Sequence, residues 1–230
     1  MSTLSADLSS FTSYYDSFES TDEYKRAYKD FSDSLDSDNW DNTVILLVLL
    51  IGIIASNLSE ASKAAVQSEE FNTLTNKEKA DIIRNTIAPV IDRGYALIEK
   101  LTRKAYYVYL SRTGKPFIIP NTYIDSDRVK SVIAKSITVA LNGDNPGSFM
   151  SKSFDTVMRT AHGDVLSAVA RTIKSEDAGR ILARRVLHST NPCDYCKAHA
   201  GIWFEASSEN TPLYFFHDKC RCSIEFASVV

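Results

Sequence analysis

The chain has 230 residues, of which 44% are hydrophobic and 24% charged, proportions of an ordinary globular protein. That length suits one large domain or a main body with a small appendage. Only eight Gly and six Pro argue against a turn-rich all-β chain, and eleven Tyr with eleven Phe supply the bulk for a core, so helices should dominate. The net charge of −3 hides an asymmetry: residues 1–42 hold ten acidic and three basic side chains, whereas residues 81–187 hold ten acidic and seventeen basic ones. Segments of opposite sign can bind each other or face different partners.

The first segment, 1–42, is an acidic arm rich in Ser and Asp, without the positive start and apolar run of a secretory signal. It carries Phe11, Tyr14, Tyr15, Phe18, Tyr24, Tyr28, Phe31 and Trp40, more aromatics than a disordered tail would hold. Tyr24, Tyr28 and Phe31 fall at helical spacing, so this arm is expected to order on contact with an apolar surface. Val44 to Ala55 follows, eleven aliphatic residues and Gly52. As a helix these twelve residues reach ~18 Å, short of the ~30 Å hydrocarbon core of a bilayer. A buried helix is the expectation, and a membrane-active segment is the alternative.

A helical body spans 43–187. Thr75-x-x-Glu78 reads as a capping box opening a long helix whose apolar positions include Ile82, Ile83, Ile87, Val90, Ile91, Leu97, Ile98 and Leu101. Pro89 should kink or divide it. Thr113 to Pro116 signals a turn, and Phe117 to Pro120 a short extended piece. Asp125 or Ser126 caps a helix to about Leu141, Asn142 to Gly147 is a loop, and helices are predicted from about Ser151 to Ile173 and from about Glu176 to Leu187. The last segment, 188–230, changes character, with β-prone pieces at Ile202–Phe204, Tyr214–Phe216 and Ser223–Phe226.

All four cysteines lie in the last 38 residues, as Cys193-x-x-Cys196 and then His217-x-x-Cys220-x-Cys222. Two ligand pairs, each close in sequence, are what a tetrahedral Zn²⁺ site needs, and a segment this small commonly relies on a metal for stability. The expected structural site uses Cys193, Cys196, His217 and Cys220, with Cys222 as a substitute ligand or neighbouring thiol. A disulfide framework is the alternative, since four cysteines allow several pairings. His199 reads as a neighbour of the site. A catalytic zinc fits poorly: Pro192-Cys193-x-x-Cys196 matches half of a nucleobase deaminase signature, but His162-Gly163-Asp164 offers Asp where the chemistry uses Glu. His162 reads instead as a polar residue on a helix near the core. No phosphate loop, Ser/His/Asp set or carboxylate pair stands out, so an enzyme is not expected. Lys100, Arg103 and Lys104, beside Tyr106, Tyr107 and Tyr109, and the cluster Arg180, Arg184 and Arg185 are candidate nucleic-acid contacts; the bland alternative is a solvated or ion-paired face.

The run Arg185 to Cys196, then Ala200 to Phe204, then Phe216 to Cys222, resembles the terminal module of tailed-phage minor capsid proteins of the Mu F-like head morphogenesis family. Cys193, Cys196, Gly201, His217, Cys220 and Cys222 occupy the family's ordered positions. The likeness covers about 40 of the 230 residues, with Asp218 where a Pro often follows the histidine. It implies a virion component made in the host cytoplasm, present in several copies inside the capsid, touching portal or major capsid protein and packaged DNA. The expected fold is α+β, mainly α: an acidic arm (1–42), a helical body (43–187) and a zinc-stabilised β-containing knob (188–230).

Overall fold

The computed structural model describes residues 17–67, 69–112, 119, 121–123, 126–144, 146–176, 180–187, 191–205 and 222–229. After a 3₁₀ turn at Phe18–Ser20 come six helices: α1 (Asp22–Ser34), α2 (Trp40–Gln67), α3 (Glu69–Thr73), α4 (Asn76–Arg112), α5 (Ser126–Leu141) and α6 (Pro146–Glu176). Strand β1 (Arg180–Leu187), the short helix α7 (Asp194–His199), β2 (Trp203–Glu205) and β3 (Cys222–Val229) complete the described chain. It is mainly helical with one small antiparallel sheet, as expected.

Helix α2 is the apolar run, extended to 28 residues and started by Asn39, whose side-chain oxygen accepts the Asn42 N–H at 3.0 Å. Leu47, Leu50 and Ile54 are fully buried because α1, α4 and α6 all pack on this helix. Ile45 and Leu49 are left exposed on the remaining face. Trp40–Lys63 is long and apolar enough to cross a membrane, yet 56% of an apolar 18-residue window within it is already buried by the chain's own helices.

The acidic segment docks on this body from residue 17 onward. Thr21 caps α1 by accepting the Tyr24 N–H, and Tyr24 and Phe31 turn inward, with Phe18 meeting Tyr24 edge to face at 5.4 Å. Thr43 donates its hydroxyl to the Ser34 carbonyl at 2.9 Å, closing the corner between α1 and α2. Arg112 at the end of α4 donates to the carbonyls of Leu35 and Ser37. Glu19 pairs with Arg93 at 3.5 Å, so acidic and basic segments do meet, though a half-exposed pair contributes less than about 1 kcal/mol. The expected arm aromatics before residue 17 lie outside the described residues.

The capping box opens α4: the Thr75 N–H donates to Glu78 Oε2 at 2.9 Å, and the Thr75 hydroxyl oxygen accepts the Glu78 N–H. Pro89 does not divide this helix, which continues to Arg112. Its missing N–H is tolerated because Ile83, Val90 and Ile91 anchor both sides in the core. Helix α6 starts earlier than expected, with Pro146 at its first position, where a missing N–H costs nothing. Gly143, at φ +80°, makes the preceding turn.

Side chains of α2 and α6 close over Gly94 of α4. A Cβ there would sit 2.5 Å from Leu58 Cδ1 and 2.6 Å from Met158 Sδ. Gly94→Ala is therefore expected to lose about 1–2 kcal/mol, since overpacking exceeds the gain in helix propensity. Gly52, whose added Cβ would meet nothing within 4 Å, should respond with the opposite sign, Gly52→Ala gaining up to about 1 kcal/mol. Urea midpoints of the two variants check the pair.

The segment predicted as a helix from Glu176 to Leu187 is corrected: α6 runs to Glu176, and residues 180–187 form β1, the centre of a sheet ordered β2-β1-β3. Arg, Leu and Ala favour helix locally, but antiparallel pairing of all eight β1 residues with β3 overrides that preference. This strand belongs to the sheet with the carboxyl segment, which places the body's edge nearer residue 180 than 187. The expected β pieces at Ile202–Phe204 and Ser223–Phe226 appear as β2 and β3, and Tyr214–Phe216 lies outside the described residues. Phe117 to Pro120 lies outside them too, except Ile119, which is buried.

Candidate metal centre

Strand β1 alternates its side chains between two faces. Ala183, Arg185 and Leu187 share one face, and the residues directly across on β3, Ile224 opposite Arg185 and Cys222 opposite Leu187, lie on that same side. Ala183, Ile224 and Cys222 are buried there against the helical body. The Tyr106 hydroxyl on α4 donates to the Ile224 carbonyl at 2.8 Å, pinning β3 to the bundle.

Helix α7 packs on β1 and carries the Cys-x2-Cys pair. Cys193 is its N-cap: the sulfur accepts the Cys196 N–H at 3.3 Å. The helix ends at His199, and the chain reverses at Gly201, whose φ of +72° suits glycine and whose N–H donates to the Arg185 carbonyl at 3.0 Å. Cys196 points inward and is buried, its Sγ 3.9 Å from Arg185 Nη1. The His199 ring stacks on Tyr195, and its Nδ1–H donates to the Tyr195 carbonyl at 2.7 Å.

Of the expected ligands, Cys193 and Cys196 lie on α7 and Cys222 opens β3 opposite Leu187, while His217 and Cys220 lie outside the described residues. Among the described residues no disulfide joins the three cysteines to one another, and no group of three or more Cys, His, Asp or Glu side chains is gathered to hold a metal by itself. The described donors are a sulfur accepting a backbone N–H across one turn, a second, buried sulfur on the same short helix, and a third, buried sulfur at the start of β3.

The basic candidates separate. Lys100 and Lys104 are exposed on α4, as is Tyr107 one turn further along. Arg103 is tied to Glu99 at 3.4 Å and donates to Asn121. Arg180 opens β1. Arg184 lies on the opposite sheet face over the Trp203 ring, 4.6 Å from its centroid. Arg185, expected to contact nucleic acid, is corrected: it is buried, with its guanidinium 5.5 Å from the centroid of Tyr195. Strand alternation turns it inward, where a helix would have left it beside Arg184. Sequence reading missed this role, and the only signal was the period of two linking Ala183, Arg185 and Leu187.

His162 is a core residue, as the bland reading held. It is buried on α6 with Nδ1 3.1 Å from the Thr102 hydroxyl. Burial pushes it down to about 3, aided by the positive charges of Arg159 and Arg185. Asp164 accepts the Tyr95 hydroxyl at 2.7 Å, and burial with that carboxylate holds the Tyr95 phenol well above its usual range. Both members of the deaminase-like pair are thus engaged in hydrogen bonds linking α6 to α4. Compared with known proteins, the chain matches no family model, no curated protein and no solved structure.

Proposed function

We propose that this chain is a structural minor capsid or head morphogenesis protein of a tailed phage, placed inside the head near the portal, where it assists assembly and the packaging or release of DNA. The observation that carries the reading is the seating of Cys193 and Cys196 on a short helix packed against β1, whose last residue, Leu187, pairs with Cys222 on β3. That arrangement suits a closed structural zinc site with ligands from Cys193, Cys196, His217, Cys220 and Cys222, and it agrees with the ordered cysteine and histidine positions of the resemblance. The reading assigns no catalytic step. The exposed Lys100, Lys104 and Tyr107 are the side chains offered to packaged DNA, while portal or major capsid protein would meet the outer faces of the body.

Purified particles test it. The chain should be found inside the head by labelled imaging near the portal vertex, and the isolated chain should hold about one zinc per polypeptide. Absence of the chain from mature and precursor particles alike would sink the capsid reading. Removing the zinc with a chelator, or making Cys193→Ser, should expose the segment from 188 onward to protease while most helical circular dichroism persists. Unchanged cleavage of that segment would contradict the metal's structural role.

A second reading has one observation in its favour: the exposed Ile45 and Leu49 on a helix long enough to span a bilayer suit a membrane-active, ejected protein. Partitioning of the folded chain into liposomes would support it against the capsid reading.

A further inference from the structure

Lys100 and Lys104 stand one turn apart on the outer side of α4, both exposed, and neither is in an ion pair among the described residues. Cations four residues apart on a helix repel, and no carboxylate lies three or four positions from either lysine to answer them. Between Ala96 and Arg112 the only acidic residue is Glu99. It is buried and already engaged, with Arg103 at 3.4 Å and with the Thr122 N–H at 3.3 Å. Repulsion left unrelieved in a helix whose other local signals agree marks a place kept for a negatively charged ligand.

Two aromatic rings border this pair. Tyr107, three residues past Lys104, is 53% exposed. Tyr123 is 80% exposed, and the residues before it are fastened along the same helix, Asn121 accepting from Arg103 and the Thr122 N–H donating to Glu99. Thr122 thus rests against the residue before Lys100, and Tyr107 lies eight positions beyond that residue, ~12 Å along the axis. Among the described residues neither ring stacks on another and neither phenol is hydrogen-bonded. We propose that this face of α4 holds a single-stranded stretch of nucleic acid, phosphates at Lys100 and Lys104 and unpaired bases stacked on Tyr107 and Tyr123. It rests on the DNA contact offered above and deepens it, adding Tyr123 and the state of the strand. Attraction for phosphate alone suits a duplex equally. The open rings select the single strand, because a duplex keeps its base faces stacked within itself. Arg103 contributes no further cation, its charge being matched by Glu99.

The test titrates the full chain against a fluorescent single-stranded DNA of mixed sequence and against its duplex, with anisotropy as the readout. The single strand should bind at least about fivefold more tightly. The logarithm of its affinity should fall with the logarithm of salt at a slope of about −1.4, and Lys100→Gln or Lys104→Gln should each remove about 0.7 of that slope. Tyr107→Ala and Tyr123→Ala should each weaken single-strand binding at least about fivefold, Tyr107→Phe by less than about twofold, all three leaving duplex binding unchanged. These four side chains are exposed, so the variants should keep the parent's circular dichroism. Duplex bound as tightly as single strand, tyrosine variants that bind like the parent, or lysine variants with the parent's slope would each overturn this inference. The DNA contact would then stand without it. A chain that binds neither form at low salt loses the DNA contact as well, while its place in the head is judged separately by imaging of particles.

Discussion

Leu47→Asp is expected to leave the chain unfolded, whereas Leu49→Asp, on the exposed side of the same helix, should fold normally. Leu47 has no solvent-accessible surface and is enclosed by neighbouring helices. A carboxylate there loses the transfer energy of the leucine and is either buried unpaired or forced to protonate, a cost above about 4 kcal/mol against a typical domain stability of about 5–15. Leu49 is 49% exposed, and a charge there stays in water. Circular dichroism and urea titration of the two variants separate the cases. A bilayer-spanning helix would treat both substitutions as equally damaging, so equal loss of the folded state would revive the membrane-active reading.

Acid should destabilise the protein through His162. Its imidazole is pushed down to about 3 in the folded state, against about 6.5 in an unfolded chain. Within that window the unfolded state binds the proton and the folded state does not. The stability this neutral ring contributes is therefore complete above about pH 6.5 and is lost as pH falls toward 3, at about 1.4 kcal/mol per unit. Arg159 and Arg185 set the direction along with burial, while Thr102 supplies the hydrogen bond and Tyr106 the neighbouring ring, 6.5 Å away. Carboxylates titrate in the same range, so the informative quantity is a difference. Between pH 7 and pH 4 the parent should lose about 3 kcal/mol more than His162→Gln. Parallel pH profiles for the two proteins would place the proton elsewhere.

Much of the helical architecture was legible because its signals are local. The run Val44–Ala55 can only be a helix enclosed on most sides, Thr75 and Glu78 reciprocate within one turn, and Tyr24 and Phe31 recur on one face of α1. The strand β1 was not legible. Its composition, Arg-Ile-Leu-Ala-Arg-Arg-Val-Leu, satisfies a helix, and the partner that makes it a strand lies beyond a second helix and strand. The same cause hid Arg185: in a helix it joins Arg184 on a basic surface, while in a strand the two neighbours part to opposite faces. The candidate ligands Cys193, Cys196 and Cys222 stand out by their spacing, yet nothing local in the sequence shows that the buried Arg185 lies beside Cys196. Charges inside a fold are set by which faces meet, and that is a property of the ladder.

The pairing of Leu187 with Cys222 has a consequence for biosynthesis. Roughly 35 residues separate these two positions, so at about 5–20 residues per second the central strand waits on the order of seconds for its neighbour to leave the ribosome. During that interval Arg185 and the inward face of β1 stand open to solvent beside the helices already made. A nascent chain stalled before residue 222 should be a preferred client of chaperones.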